Sequence, residues 1–165
     1  MAQTEHNGEV IHTAGNLPTV GGQLPDFNLD AADLSQVGNQ TVAGSRVIFN
    51  IFPSIDTGVC AMSVRKFNEL AASLPNTKVV CVSKDLPFAL GRFCGAEGIE
   101  NVITTSAFRS SFGEDFGVTM IDGPLRGLLA RSIVVADEQG KVSHTELVAK
   151  ISSEPDYDAA VAALG

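Results

Sequence analysis

The side chains best suited to covalent chemistry in this 165-residue chain are its three cysteines, Cys60, Cys81 and Cys94. Apolar residues Val64, Phe67, Ala71 and Leu74 recur at helical spacing and predict a helix over residues 58–74, with Cys60 in its first turn. Unpaired backbone N–H groups and the positive end of the helix dipole favour a thiolate there, which makes Cys60 a candidate nucleophile. The same position suits a small core residue, because Cys60 extends the apolar stripe backwards by one turn. Thr57, three residues earlier, could cap the helix by accepting the N–H of Cys60, and its hydroxyl could equally reach the sulfur or a substrate oxygen. Pro53 either ends the preceding strand or walls the thiol from water. Arg131 interrupts the apolar run LLARSIVV at 128–135, where a charge is costly unless it meets an anion. A thiolate would be such an anion, and so would a carboxylate; an exposed strand edge is the third option.

A reactive thiol alone does little. Lowering any cysteine pKa from about 8.5 to about 6 raises the thiolate fraction at pH 7 roughly thirtyfold. Nucleophilicity falls with pKa, and a Brønsted coefficient of ~0.45 removes roughly thirteenfold, leaving a net gain of only two- to threefold. Positioning of the substrate and stabilisation of the departing oxygen must supply the rest.

Other residues carry less. Cys81 lies between Val80 and Val82 in an apolar run without nearby charge and reads as core packing. His6, His12 and His144 are scattered, and no Cys or His pair has metal-ligand spacing, so neither metal nor haem is expected. Arg65 falls one residue short of the phosphatase Cys-five-Arg spacing, in a stretch that reads as continuous helix. Asp115-Phe116-Gly117 has no accompanying glycine-rich or catalytic loop, and no Cys-x-x-Cys is present.

The surrounding elements are those of an α/β domain. Residues 46–52 (RVIFNIF) form a nearly continuous apolar run stopped by Pro53, as expected of a strand buried on both faces. Residues 78–83 (KVVCVS) repeat that pattern, and Pro87 opens a helix expected to fail around Gly95 and Gly98. Strand, helix, strand, helix implies a parallel core. Residues 128–136 and 142–148 flank a turn at 137–140 and predict an antiparallel hairpin, with a short helix over 155–164 closing the chain. Near the start, residues 9–12 and 17–20 are expected to pair as a hairpin around Gly15-Asn16.

Composition agrees. With 44% hydrophobic and 18% charged residues, the chain belongs among globular proteins rather than disordered ones. Its length fits one domain over 1–165. A net charge of −8 points away from nucleic acid and anionic membrane surfaces. No apolar run approaches the ~20 residues of a membrane span, and residues 1–16 lack the basic start of a secretory signal, so a cytoplasmic location is expected.

Pro53-x-x-x-Thr57-x-x-Cys60, with a distant strand arginine, resembles the peroxiredoxins. The longer run from Asn50 to Cys60 (NIFPSIDTGVC), SVRKFN at 63–68 and RFCGAE at 92–97 are similar to the thiol peroxidase subfamily, and the resemblance spans essentially the whole chain. It implies a thioredoxin-like fold with a central mixed sheet flanked by helices. It implies reduction of hydrogen peroxide and alkyl hydroperoxides without a cofactor, an antioxidant role, a homodimer and recycling by thioredoxin. It further implies that Cys60 is peroxidatic, Cys94 resolving, and Pro53, Thr57 and Arg131 parts of the site. Eight residues into a helix beginning near Leu86, Cys94 lies roughly 12 Å along the axis. A disulfide needs Cα atoms about 5.5–6 Å apart, so the two cysteines are not expected to bond without backbone movement. A thioredoxin-like redox sensor or binding module without sustained turnover is the competing expectation.

Overall fold

The computed structural model describes all 165 residues. Two antiparallel strands come first, β1 (Gln3–His6) and β2 (Glu9–His12). Then follow β3 (Asn28–Ala31), β4 (Gln36–Gly38), α1 (Asn39–Val42), β5 (Arg46–Ile51), α2 (Gly58–Ala71), β6 (Thr77–Ser83), α3 (Pro87–Glu97) and β7 (Ile103–Ser106). The last elements are α4 (Phe112–Asp115), β8 (Ser132–Ala136), β9 (Val142–Leu147) and α5 (Tyr157–Ala162). Seven strands form one mixed sheet in the order β4-β3-β7-β6-β5-β8-β9. As the strand-helix alternation requires, β5, β6 and β7 are parallel, while β8 and β9 form the expected antiparallel hairpin.

Strand β5 is buried on both faces because its alternate side chains enter different cores. Val47, Phe49 and Ile51 join a cluster with Phe27, Phe112 and Phe116, whereas Ile48 and the following Phe52 join Cys60, Val64, Phe67 and Cys81 beneath α2. Helix α2 buries Cys60, Ala61, Ser63, Val64 and Phe67 on one stripe and leaves Arg65, Lys66 and Glu69 exposed. It ends at Ala71 rather than at 74, because Ser73 and Leu74 already bond three residues back and Pro75 follows. Helix α3 continues through Gly95 to Glu97. Its stop is Gly98, whose φ of 65° sends the N–H back to the Cys94 carbonyl.

The opening hairpin differs from expectation. Residues 9–12 pair with Gln3–His6, not with 17–20. Asn7 and Gly8 hold φ of 52° and 86°, the positive pair of a two-residue turn whose twist suits a hairpin, and this outcompetes the longer loop through Gly15-Asn16. Strand β8 begins at Ser132, not at 128. Residues 128–130 turn instead toward 118–120, with the Met120 N–H donating to Leu128 O at 2.9 Å and the Ala130 N–H to Val118 O at 2.9 Å. Arg131 therefore sits where the chain leaves that pairing and enters the sheet.

Candidate active site

The C-terminal end of β5 runs into Pro53, which is buried, and the chain then turns through Ser54, Ile55 and Asp56 to the α2 N-terminus. Cys60 is the third residue of that helix, is 0% exposed and is a free thiol. No side chain caps the helix. Here the structure corrects the expectation for Thr57: its hydroxyl donates backwards to Ser54 O at 3.0 Å instead of accepting the Cys60 N–H. The Thr57 N–H turns to the same carbonyl at 3.2 Å, which fixes the tight bend and aims the hydroxyl proton away from the helix. With its proton committed, Thr57 Oγ1 offers the site acceptor lone pairs only.

Arg131 is 2% exposed and reaches Cys60 from the position just before β8, Nη2 donating to Sγ at 3.2 Å. The side chain is held by Nε, which donates to Ile151 O at 2.8 Å, while Nη1 is buried without a partner. A buried cationic donor without a partner beside the sulfur is an exception that calls for an explanation. The Arg131 platform is braced by the N-terminal hairpin. Ile151 N donates to Glu5 O at 2.9 Å, Thr4 Oγ1 to Val148 O at 2.9 Å, and Val148 N to Arg131 O at 3.1 Å.

A cleft of about 250 Å³ opens onto this arrangement. Pro53, Thr57, Val59, Leu125, Leu128 and Arg131 are among its lining residues, with His6 from the hairpin at the same opening. Its surface is mostly apolar, and in apolar surroundings the hydrogen bonds of the polar groups at its base gain strength.

Cys94 lies elsewhere. It is half-buried, its Sγ is 3.3 Å from Thr104 Oγ1, and it lines a separate groove with Ala32, Val37 and Ile99. Thus Pro53, Thr57, Cys60 and Arg131 come together, and Cys94 remains apart as a free thiol. Arg65 ties α2 to α3, its Nε donating to Glu97 Oε1 at 2.8 Å and its guanidinium lying 5.6 Å from the Phe93 ring centroid. Cys81 is fully buried as expected, and burial pushes its thiol up to about 12, so it stays protonated at neutral pH.

Asp85 was not indicated by sequence. Its carboxylate accepts from Ser83 Oγ at 2.6 Å, Ile55 N at 2.7 Å and Ser54 Oγ at 2.9 Å, pinning the β5–α2 loop to the loop that precedes α3. Only its place in the turn after a β-strand, one strand over from the candidate loop, could have hinted at this. Asp85→Ala releases all three donors and lets Ser54, and with it Thr57, drift. If Cys60 reacts with hydroperoxides as the sequence resemblance implies, its rate constant is expected to fall tenfold or more, toward ~10²-fold for a displacement near 1 Å. Stopped-flow kinetics measures it, and an unchanged rate constant would remove Asp85 from the positioning of the site.

The family model described as Redoxin matches residues 19–161. The chain belongs to the Redoxin family. It is 62% identical over 164 residues, 99% of each chain, to a thiol peroxidase of Corynebacterium glutamicum. It is 58% identical to a thiol peroxidase of Mycobacterium tuberculosis over 165 residues, 100% of this chain and 99% of that one. A peroxiredoxin-like protein from Aquifex aeolicus superposes with a TM-score of 0.93 at 34% identity, covering 98% of this chain and 95% of that one. The resemblance to thiol peroxidases and the thioredoxin-like mixed sheet with its N-terminal hairpin are borne out. No helix of this Redoxin chain is long and apolar enough to cross a membrane.

Proposed function

We propose that this chain is a thiol-dependent peroxidase in which Cys60 is the peroxidatic and Cys94 the resolving cysteine. The observation that carries the reading is the Arg131 guanidinium, which donates to Cys60 Sγ at 3.2 Å while a second buried nitrogen of the same group has no partner. The Cys60 thiolate attacks the terminal oxygen of a hydroperoxide. The S–O bond forms as the O–O bond breaks, and the departing oxygen leaves as alcohol or water after taking up a proton. Arg131 Nη1 stabilises charge on the oxygens in flight, and Thr57 Oγ1 accepts the O–H that orients the substrate. The apolar cleft walls formed by Val59, Leu125 and Leu128 suit alkyl hydroperoxides as well as hydrogen peroxide.

The resulting sulfenic acid condenses with the Cys94 thiol. This step calls for the first turn of α2 to unwind, because Cys60 is fully buried against Arg131 whereas Cys94 lines a separate groove beside Thr104. A dithiol protein of the thioredoxin type then reduces the disulfide, helped by the partial exposure of Cys94. We read residues 1–165 as one catalytic unit that serves antioxidant defence in the cytoplasm and acts as a homodimer. Supporting the dimer, Leu86, Phe88 and Phe108 are exposed beside the ends of the neighbouring parallel strands β6 and β7.

The coupled assay with thioredoxin, thioredoxin reductase and NADPH tests this. Cys94→Ser is expected to give a burst of one peroxide per chain and then lose thioredoxin-dependent turnover. Stoichiometric oxidation of the parent chain without turnover, with any dithiol reductant, would identify a redox sensor instead.

A further inference from the structure

Beneath the peroxidatic turn lies a polar connection that the attack on peroxide does not use. Ser63 Oγ donates to the Cys60 carbonyl at 2.7 Å, and Asn50 Nδ2 on β5 donates to Ser63 Oγ at 3.1 Å. Asn50, Ser63 and Cys60 are all 0% exposed. They are surrounded by the apolar cluster of Ile48, Phe52, Val64, Phe67 and Ile133. Asn50 Nδ2 also lies 3.8 Å from Cys81 Sγ, and its Oδ1 has no partner. A side-chain amide and a hydroxyl in such a place cost more than the alanine and leucine that the packing would accept. What they add is one specific tether, from the peptide group of Cys60 to the rigid centre of the sheet.

We propose that Asn50 and Ser63 are positioning residues that latch the Cys60 peptide in its pocket and so set the rate at which the oxidised cysteine leaves for Cys94. The inference rests on the assignment of Cys60 and Cys94 above. A Cys60 sulfenic acid has two fates. In one, the Cys94 sulfur attacks the Cys60 sulfur, the S–S bond forms, the S–O bond breaks, and the hydroxyl leaves with the thiol proton as water. In the other, the sulfenate attacks a second hydroperoxide, the O–O bond breaks, and a sulfinic acid and an alcohol result. The first fate needs the turn to unwind and the Ser63–Cys60 bond to break; the second proceeds in the closed pocket. The strength of the latch therefore divides the flux between disulfide and irreversible oxidation.

The test is Ser63→Ala in the full chain, followed by quenched-flow oxidation and mass analysis. Hydroperoxide should consume the Cys60 thiol at a rate within twofold of the parent. Disulfide formation should be three- to tenfold faster, the value of one net hydrogen bond. The hydroperoxide concentration that converts half of Cys60 to sulfinic acid should rise by the same factor. Cys81 serves as an internal control for packing: the latch leaves it protected from iodoacetamide, whereas general loosening exposes it and slows the peroxide step. Asn50→Leu, which roughly keeps volume and removes the anchor of Ser63 together with the weaker contact to Cys81 Sγ, should shift resolution in the same direction by a smaller factor. Disulfide formation at the parent rate in both variants, with Cys81 protected, overturns the latch alone. Exposure of Cys81 with a slowed peroxide step overturns it in favour of a packing role. Absence of a Cys60–Cys94 disulfide in the parent chain overturns the assignment of the cysteines and the latch together.

Discussion

Cys60→Ser should reduce peroxide turnover to the background rate, a loss on the order of 10⁶-fold, as expected when an activated nucleophile is removed. The exchange is nearly isosteric in a fully buried position, so the helix and its apolar stripe stay in place. A serine hydroxyl has no useful anion fraction at pH 7 even beside Arg131, and an alcohol oxygen is a poor nucleophile toward a peroxide. Neither remaining thiol can take over. Cys81 is buried, with its thiol pushed up to about 12, and Cys94 has the Thr104 hydroxyl beside it where Cys60 has a guanidinium. The coupled assay with hydrogen peroxide measures this, with circular dichroism to confirm the fold. Turnover above a few per cent of the parent would assign the nucleophile to another residue.

Arg131→Met should cost about 10²–10³-fold in kcat/KM, the range for removing one preorganised donor to a developing charge. Methionine fills similar space and carries no charge. The variant therefore loses the donor to Cys60 Sγ and the unpaired Nη1 together, while the surrounding packing remains. Two effects on stability oppose each other. Removing a buried cation from apolar surroundings is neutral or favourable, and leaving Ile151 O unpaired costs ~1–3 kcal/mol. A fall of a few degrees in Tm with a large fall in rate is the expected combination. Near-parental kinetics in the folded variant would reduce Arg131 to a structural role.

How much of this was legible in the sequence follows from distance along the chain. Pro53, Thr57 and Cys60 lie within eight residues on one loop and one helical turn, so their spacing alone places them together. Arg131 is 71 positions from Cys60, yet a lone charge in an apolar run marks a buried ion that must find a partner. The direction of the Thr57 hydroxyl was not legible, because a donor bond to Ser54 O and an acceptor bond from Cys60 N use the same residue types. The supports were hidden for a different reason. Ile151 O and Glu5 O act through backbone atoms that carry no residue signature, and Asp85 acts through a turn whose neighbour is set by sheet order. Strands β3, β4 and β7 were missed because they are three or four residues long and have no apolar run: β3 (NLDA) and β7 (ITTS) are rich in Asn, Asp, Thr and Ser, and β4 (QVG) has a single apolar side chain between Gln36 and Gly38. Asn50 did leave a trace, as the single amide inside RVIFNIF.

The most direct test of the account is to add one equivalent of hydrogen peroxide to the reduced chain and map its cysteines by peptide mass. The account predicts a Cys60–Cys94 disulfide within one chain and a single remaining thiol, Cys81, out of three cysteines. A sulfinic acid at Cys60 with Cys94 still a thiol, or a disulfide that includes Cys81, would contradict it.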